Sequence, residues 1–497
     1  MKQFVVWGFA SLLSAASLMA AGLDARLADA AQRMDKARIH ALLDQRIDVN
    51  APQADGMTAL HWAAYRDDLQ TMELLVKAGA NVKAANRYGV TPLSLACTNG
   101  NEAMVGLLLR AGADPNTTLN GGETVLMTAS RTGKVEAVRA LLDAGAKANT
   151  KEGQYGQTAL MWAAAEGNAA VVETLLRAGA DLNARVDSGF NAFLFAVREG
   201  SIPAVRALLK AGANVNDTIQ VSPDMKPRSG YYRGASPRKE SSALILAVTN
   251  GHYELAAALL DAGADPNSAG PGFTALHAIT NTRKSGVGDN DPPPTGSGSL
   301  SSLDLVRKLV ARGANINARM TRRVNLGLTG LNTKEATPFF LAAKTADAEL
   351  MRLLASLGAD PKLNNEDNST ALMAAAGLGT RSPGEDAGTE PEVLEAMQVV
   401  LDLGADINAV NNNGETAMHG AAYKNLPGAV QFLAEKGAKI EIWNQKNKSG
   451  WTPLAIASGY RVGNFKPSDV TVDALKQVMT KAGVSTELGA VEGKNIY

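Results

Sequence analysis

The chain has a single cysteine, Cys97, in 497 residues. One thiol makes no internal disulfide, so no bridge framework staples this chain. Histidine is scarce too: His40, His61, His252, His277 and His419 are the full set. None pair at zinc-ligand spacing and no H-E-x-x-H occurs, so no metal ligands and no cofactor are expected. No G-x-x-x-x-G-K loop cradles a phosphate, and no G-x-G-x-x-G opens a helix. Aromatic residues make up only 5% of the chain, which suits thin, closely packed layers better than one thick core. Neither sign of charge dominates, with Lys+Arg and Asp+Glu at 49 each. That excludes a global basic surface for nucleic acid. The long uncharged apolar run is confined to residues 4–21.

What is abundant is a repeat. Its clearest copy spans residues 156–183. Thr158 suits a helix N-cap, its hydroxyl accepting from an orphan backbone N–H. Residues 159–165 predict a short helix of small residues, and Gly167 allows a tight turn. Val171, Val172, Leu175 and Leu176 recur at helical spacing and predict a second helix with one apolar face. Gly179 supplies the left-handed residue that ends it. One such pair cannot bury its apolar face alone, so it must stack on copies. Helix-ending glycines recur at Gly79, Gly112, Gly145, Gly179, Gly212, Gly263, Gly313, Gly358, Gly404, Gly437 and Gly483. Caps recur at Thr58, Thr91, Thr124, Thr158, Asn191, Ser242, Thr274, Thr337, Thr370, Thr416 and Thr452, which makes eleven repeats.

The basic step is about 33 residues. Residues 58–61 and 274–277 read T-A-L-H, while 91–93 and 452–454 read T-P-L. In the latter the proline takes the first helical position, where no N–H is missed. By this period and these motifs, almost everything after residue 23 resembles the ankyrin repeat family. The resemblance implies an all-α solenoid of eleven helix pairs, with hairpin fingers along one edge. It also implies structural histidines: His61, His277 and His419 fill the T-x-L-H slot, where the imidazole braces the cap and the neighbouring finger. Cys97 fills the slot of Ala64 and Ala164, and reads as a small buried residue. With each histidine explained by the repeat, no catalytic constellation assembles.

In chain order, residues 1–22 have a minimal positive start, an apolar stretch and small residues at the end. That is the pattern of a secretory signal peptide, with an uncleaved anchor as the alternative. The chain is therefore expected in the periplasm or outside the cell. Residues 23–55 read as an N-terminal capping helix pair. Residues 56–217 are regular repeats. A finger insertion at 218–241 carries Tyr231 and Tyr232 among basic residues, and a second finger at 319–336 is also basic. Residues 242–483 continue the repeats, with helix-pair insertions at 284–302, 379–391 and 461–469, one in every second repeat. These are expected on the edge opposite the fingers, and the first two have linker composition. A tail, 484–497, is expected to be weakly ordered.

The resemblance implies that partners bind along a concave groove formed by first helices and fingers. Mapped onto this chain, the groove positions are Tyr65, Arg66, Arg87, Tyr88, Arg131, Tyr155, Phe190, Arg198, Lys344, Tyr423, Lys424, Trp451 and Tyr460. The finger adds Tyr231, Tyr232 and Arg233. These positions vary between repeats and often carry Tyr or Arg, so they are expected to be exposed and to suit interface hot spots. Trp62 and Trp162, four residues past their caps, read instead as helix-packing wall. The function expected is a non-catalytic scaffold for a partner protein, an exported enzyme or envelope complex, acidic near the basic fingers. No nucleic acid is expected, and no membrane beyond an uncleaved anchor. The alternative is a glycan or small-ligand-binding module of the cell envelope. An enzyme would need a convergent polar site that the spacings do not show.

Overall fold

The computed structural model describes residues 24–222, 239–286, 294–324, 330–463, 466–488 and 491. Among them are 25 helices and no strand. Isolated bridges between Thr118 and Thr124 and between Thr218 and Ser242 close the bases of two fingers. The chain divides into two compact halves, one ending at Ala213 and the other starting at Asn214.

The first half holds the capping pair, Arg26–Gln32 and Lys36–Asp44, and repeats one to five. Repeat four shows how each layer forms. The Thr158 hydroxyl accepts from the Met161 N–H at 3.4 Å and starts the helix Ala159–Ala165. Gly167 turns the chain at φ 74°, Ala169–Arg177 runs back, and Gly179 closes it at φ 84°. Each layer then buries the same columns. Two residues past the caps stand Leu60, Leu93, Leu126, Leu160 and Phe193, all at most 1% exposed. Leu75, Leu108, Leu141, Leu175 and Leu208 form a matching column of fully buried second-helix side chains. Burying each is worth roughly 2 kcal/mol, and that burial needs a neighbouring layer.

Two polar ladders tie layers together. Asparagines at the start of several fingers reach the next layer: Asn50, Asn116 and Asn149 accept from the N–H groups of Asn81, Lys147 and Asp181 at 2.6, 2.9 and 2.7 Å. Their side-chain amides donate to the carbonyls of Gly79, Gly145 and Gly179. Asn267 repeats the device in the second half, accepting from the Asn315 N–H and donating to the Gly313 carbonyl. The histidines form the second ladder. His61 Nδ1 accepts from the Thr58 N–H at 3.2 Å, so the proton sits on Nε2, which donates to the Val90 carbonyl at 3.0 Å. His277 does the same between Thr274 and the carbonyl of Ala336. Burial keeps both imidazoles neutral, holding His277 down to about 4. His419 is equally buried and held down to about 4, but its Nε2 has no partner among the described residues. Cys97 is fully buried, as its slot implied.

The second half holds repeats six to eleven and a one-turn helix, Ile440–Trp443, in the finger after repeat ten. Here the insertions depart from the sequence reading. They are not segregated from the fingers, because the Gly330 N–H of the finger after repeat seven donates to the Gly379 carbonyl of the repeat-nine insertion at 2.7 Å. The 379–391 segment is not an open linker either. Asp386 and Ala387 turn inward, and Thr389 caps the helix Glu390–Asp402 with Glu392 as its capping-box partner.

The every-second-repeat pattern now has a physical cause. The repeat-nine insertion lies across both neighbours, with Gly388 against Ala346 of repeat eight and against Lys424 of repeat ten. Repeats eight and ten must keep short turns to leave that room. Insertions two repeats apart meet instead: a side chain at Gly286 would strike Glu385, and one at Gly463 would strike Arg381.

Candidate protein-binding groove

In the first half, the ends of first helices and the tips of fingers carry a row of rings and guanidiniums. Tyr65, Tyr88 and Tyr155 are 55%, 57% and 49% exposed. The Arg66 guanidinium lies 5.7 Å from the Tyr65 ring and 6.0 Å from Trp62, while its Nε donates to the Gln32 carbonyl. Arg87 stacks on Tyr88 at 5.1 Å, and Arg131 stacks on Trp162 of the next repeat at 5.2 Å. Arg198 stands over Phe195 at 5.0 Å and pairs with Glu199 at 2.7 Å. A guanidinium held near a ring face is attracted by the ring's quadrupole and keeps further N–H donors for a partner.

Trp62 and Trp162 therefore need correcting. They are half-buried, and besides walling the helices they form the floor on which Arg66 and Arg131 rest. Trp62 Nε1 is fixed by a 2.7 Å bond to Gln53 Oε1. The spacing of four between Trp62 and Arg66, one helical turn, was the available signal.

Four expected groove residues are buried rather than exposed. Phe190 is 2% exposed, because its ring packs against Phe195 at 5.3 Å beneath Arg198. Lys344, Tyr423 and Lys424 are covered by the chain's own insertions and fingers. Lys344 pairs with Asp386 at 2.5 Å, and the Lys424 ammonium donates to the Ala387 carbonyl. The Tyr423 hydroxyl donates to Glu415 and accepts from Asn447. Burial and then the Glu415 charge push that hydroxyl's pKa up, so it stays protonated. Arg461 of the repeat-eleven insertion lies 5.8 Å from the same ring and donates to the Thr380 carbonyl. Trp451 and Tyr460 are half-buried at the far end of this half. Tyr231, Tyr232 and Arg233 lie outside the described residues.

The basic finger after repeat seven uses its cations on its surroundings. Arg319 pairs with Glu335 at 3.0 Å, Lys334 pairs with Glu366, and Arg322 and Arg323 donate to the carbonyls of Gly270 and Gly330. Among the described residues no cluster of His, Cys, Asp and Glu could hold a metal ion, and no helix is long and apolar enough to cross a membrane.

Family models for ankyrin repeats match residues 27–119, 116–186 and 389–466 in the multi-copy form, and 188–219 and 239–270 in the single-copy form. Together these cover more than half of the chain. The chain belongs to the ankyrin repeat family. The matches stop at 270 and resume at 389, an interval that holds repeats seven and eight, the first helix of repeat nine and most of the repeat-nine insertion. Similar curated proteins include the human ankyrin repeat and SOCS box protein 6, 36% identical over 205 residues, covering 35% of this chain and 46% of that protein. Ankyrin repeat and SOCS box protein 16 of Mus musculus is 34% identical over 254 residues, 46% of this chain and 49% of that one. Neurogenic locus notch homolog protein 1 of Danio rerio is 30% identical over 219 residues, 39% of this chain and 8% of that one. The chain thus spans less than half the length of these relatives. Ankyrin repeats form protein–protein interaction scaffolds, and the family is in general a non-enzymatic interaction module.

Proposed function

We propose that this chain is a non-catalytic scaffold that captures a partner protein on the groove face of its first five repeats. The observation that supports this is the row of exposed tyrosines with stacked arginines, from Tyr65 and Arg66 through Arg87 and Tyr88 to Arg131 and Tyr155. Tyr and Arg carry most of the energy at interfaces, and a ring-stacked guanidinium has less freedom left to lose on binding. The scaffold works in the periplasm or outside the cell, a reading supported by the signal-peptide-like composition of residues 1–22. Its partner there is an exported enzyme or part of an envelope complex.

The test is affinity capture from the exported fraction, comparing the wild-type chain with a Tyr65→Ala/Tyr88→Ala/Tyr155→Ala variant. One stoichiometric partner is expected, its capture about tenfold weaker with the variant while the melting temperature holds. Equal capture by the variant refutes the groove, and a chain found only in the cytoplasmic fraction refutes export.

A further inference from the structure

The second half shows what its own groove accepts. Seven residues past the cap of repeat eight stands Lys344, and eight past the cap of repeat ten stands Lys424. The insertion of repeat nine lies between them. Its Asp386 carboxylate meets Lys344 at 2.5 Å, and its Ala387 carbonyl accepts from Lys424. A chain segment bearing a carboxylate is thus held between cations in alternate repeats.

The first half has a similar pair of cations with no occupant from its own chain among the described residues. Arg66 stands eight residues past the cap of repeat one, and Arg131 seven past the cap of repeat three, again alternate repeats. Each is stacked on a tryptophan, and neither has a carboxylate partner within salt-bridge distance among the described residues. Arg87 stands between them on the finger before repeat two, stacked on Tyr88 and, among the described residues, without a carboxylate within salt-bridge distance. The alternate-repeat spacing is shared, with the offsets of seven and eight exchanged; the cations are present, and the regular repeats of this half carry no insertion to cover them.

We propose that the partner segment seated on Arg66, Arg87 and Arg131 is an extended acidic stretch of polypeptide. This rests on the groove reading above and adds the chemistry of the partner. The stacked guanidiniums offer paired N–H groups, which match carboxylates in a bidentate fork. Alternate layers stand roughly 20 Å apart at ordinary helix spacing. An extended chain advances about 3.3 Å per residue, so carboxylates roughly six residues apart would meet Arg66 and Arg131 together, with Arg87 available to one between.

The probe is a short fluorescein-labelled peptide of Gly, Ser and Pro carrying glutamates at that spacing, with its Glu→Gln counterpart as control. Both are titrated by anisotropy into the full chain and into an Arg66→Gln/Arg87→Gln/Arg131→Gln variant. The acidic peptide is expected to bind about tenfold more tightly than the control, to lose that margin in the variant, and to weaken as salt rises. Equal binding of the two peptides, or a margin that survives in the variant, overturns the proposal. So does displacement by a short DNA duplex or by anionic vesicles at lower concentration than by the peptide, which would make the row a general polyanion surface. If the arginine variant still captures the cellular partner while the tyrosine variant loses it, the acidic-segment inference fails and the scaffold reading stands. If both variants capture normally, both fail.

Discussion

Asp386→Asn should release the repeat-nine insertion. Asp386 and Lys344 pair at 2.5 Å with side chains 9% and 7% exposed, and the Thr380 hydroxyl donates to the same carboxylate at 2.7 Å. Burial alone would push this carboxyl's pKa up, but the charges of Lys344 and Lys424 outweigh it and hold the pKa below the usual range. Asparagine keeps the shape and loses the charge, leaving two lysines buried without their carboxylate. Breaking a buried pair in this way costs about 3 kcal/mol, which raises the open population of the segment roughly a hundredfold. Trypsin nicking after Arg381, followed by mass spectrometry, reads that population directly.

The pH dependence gives a second check. Burial, with Lys344 nearby, pulls Lys424 down to about 8, well below an ordinary lysine. A folded pKa below the unfolded one means that the opened segment binds more protons between about 8 and 10.4, so closure strengthens as pH rises through that window. Without the Asp386 charge, which favours its ammonium, the folded Lys424 sheds its proton more readily still. The penalty of the substitution should therefore shrink from about pH 7 to about pH 9.5, with nicking normalised to an unstructured peptide. A Lys344→Met/Asp386→Leu pair, which removes both charges, should nick nearly as slowly as wild type. A rise below about threefold at neutral pH, or a penalty unchanged at alkaline pH, would refute the buried-latch account.

His277 and His419, each held down to about 4 by burial, contribute stability that is present above their unfolded pKa of about 6.5 and lost as pH falls toward 4. Urea midpoints should drop across that window, and His277→Leu should flatten the slope while lowering stability at neutral pH. Burial pushes the Cys97 thiol's pKa far up, so a thiol reagent should label it only in denaturant; rapid labelling of the folded chain would contradict its place in the core. Asn149→Ala removes an acceptor for the Asp181 N–H and a donor to the Gly179 carbonyl. It should cost about 1–2 kcal/mol in a urea titration, against about 1 kcal/mol for Thr158→Ala, which removes only a cap.

Much of this protein is local and could be read from the chain. The caps from Thr58 to Thr452, the left-handed glycines and the paired helices depend on interactions spanning a few residues, and the repeat multiplies each signal. The role of the T-x-L-H histidines was legible for the same reason at His61 and His277, where the slot and its brace recur together. The inter-layer asparagines were visible as a motif but not as a ladder, because their partners lie about one repeat away.

Exposure was not legible. Arg198 and Lys344 occupy the same slot, seven residues past a cap, yet one is exposed and the other is 6% exposed. The difference is Asp386, 42 residues further along the chain. Within its own repeat Trp162 belongs to the wall between helices, and it is also a platform because Arg131 comes from the repeat before. By itself the sequence determined the unit and its internal architecture, since those follow from caps, turns and helical periodicity. Only the tertiary structure decided which groove positions stay open, because an insertion's resting place depends on charges and gaps brought together by stacking.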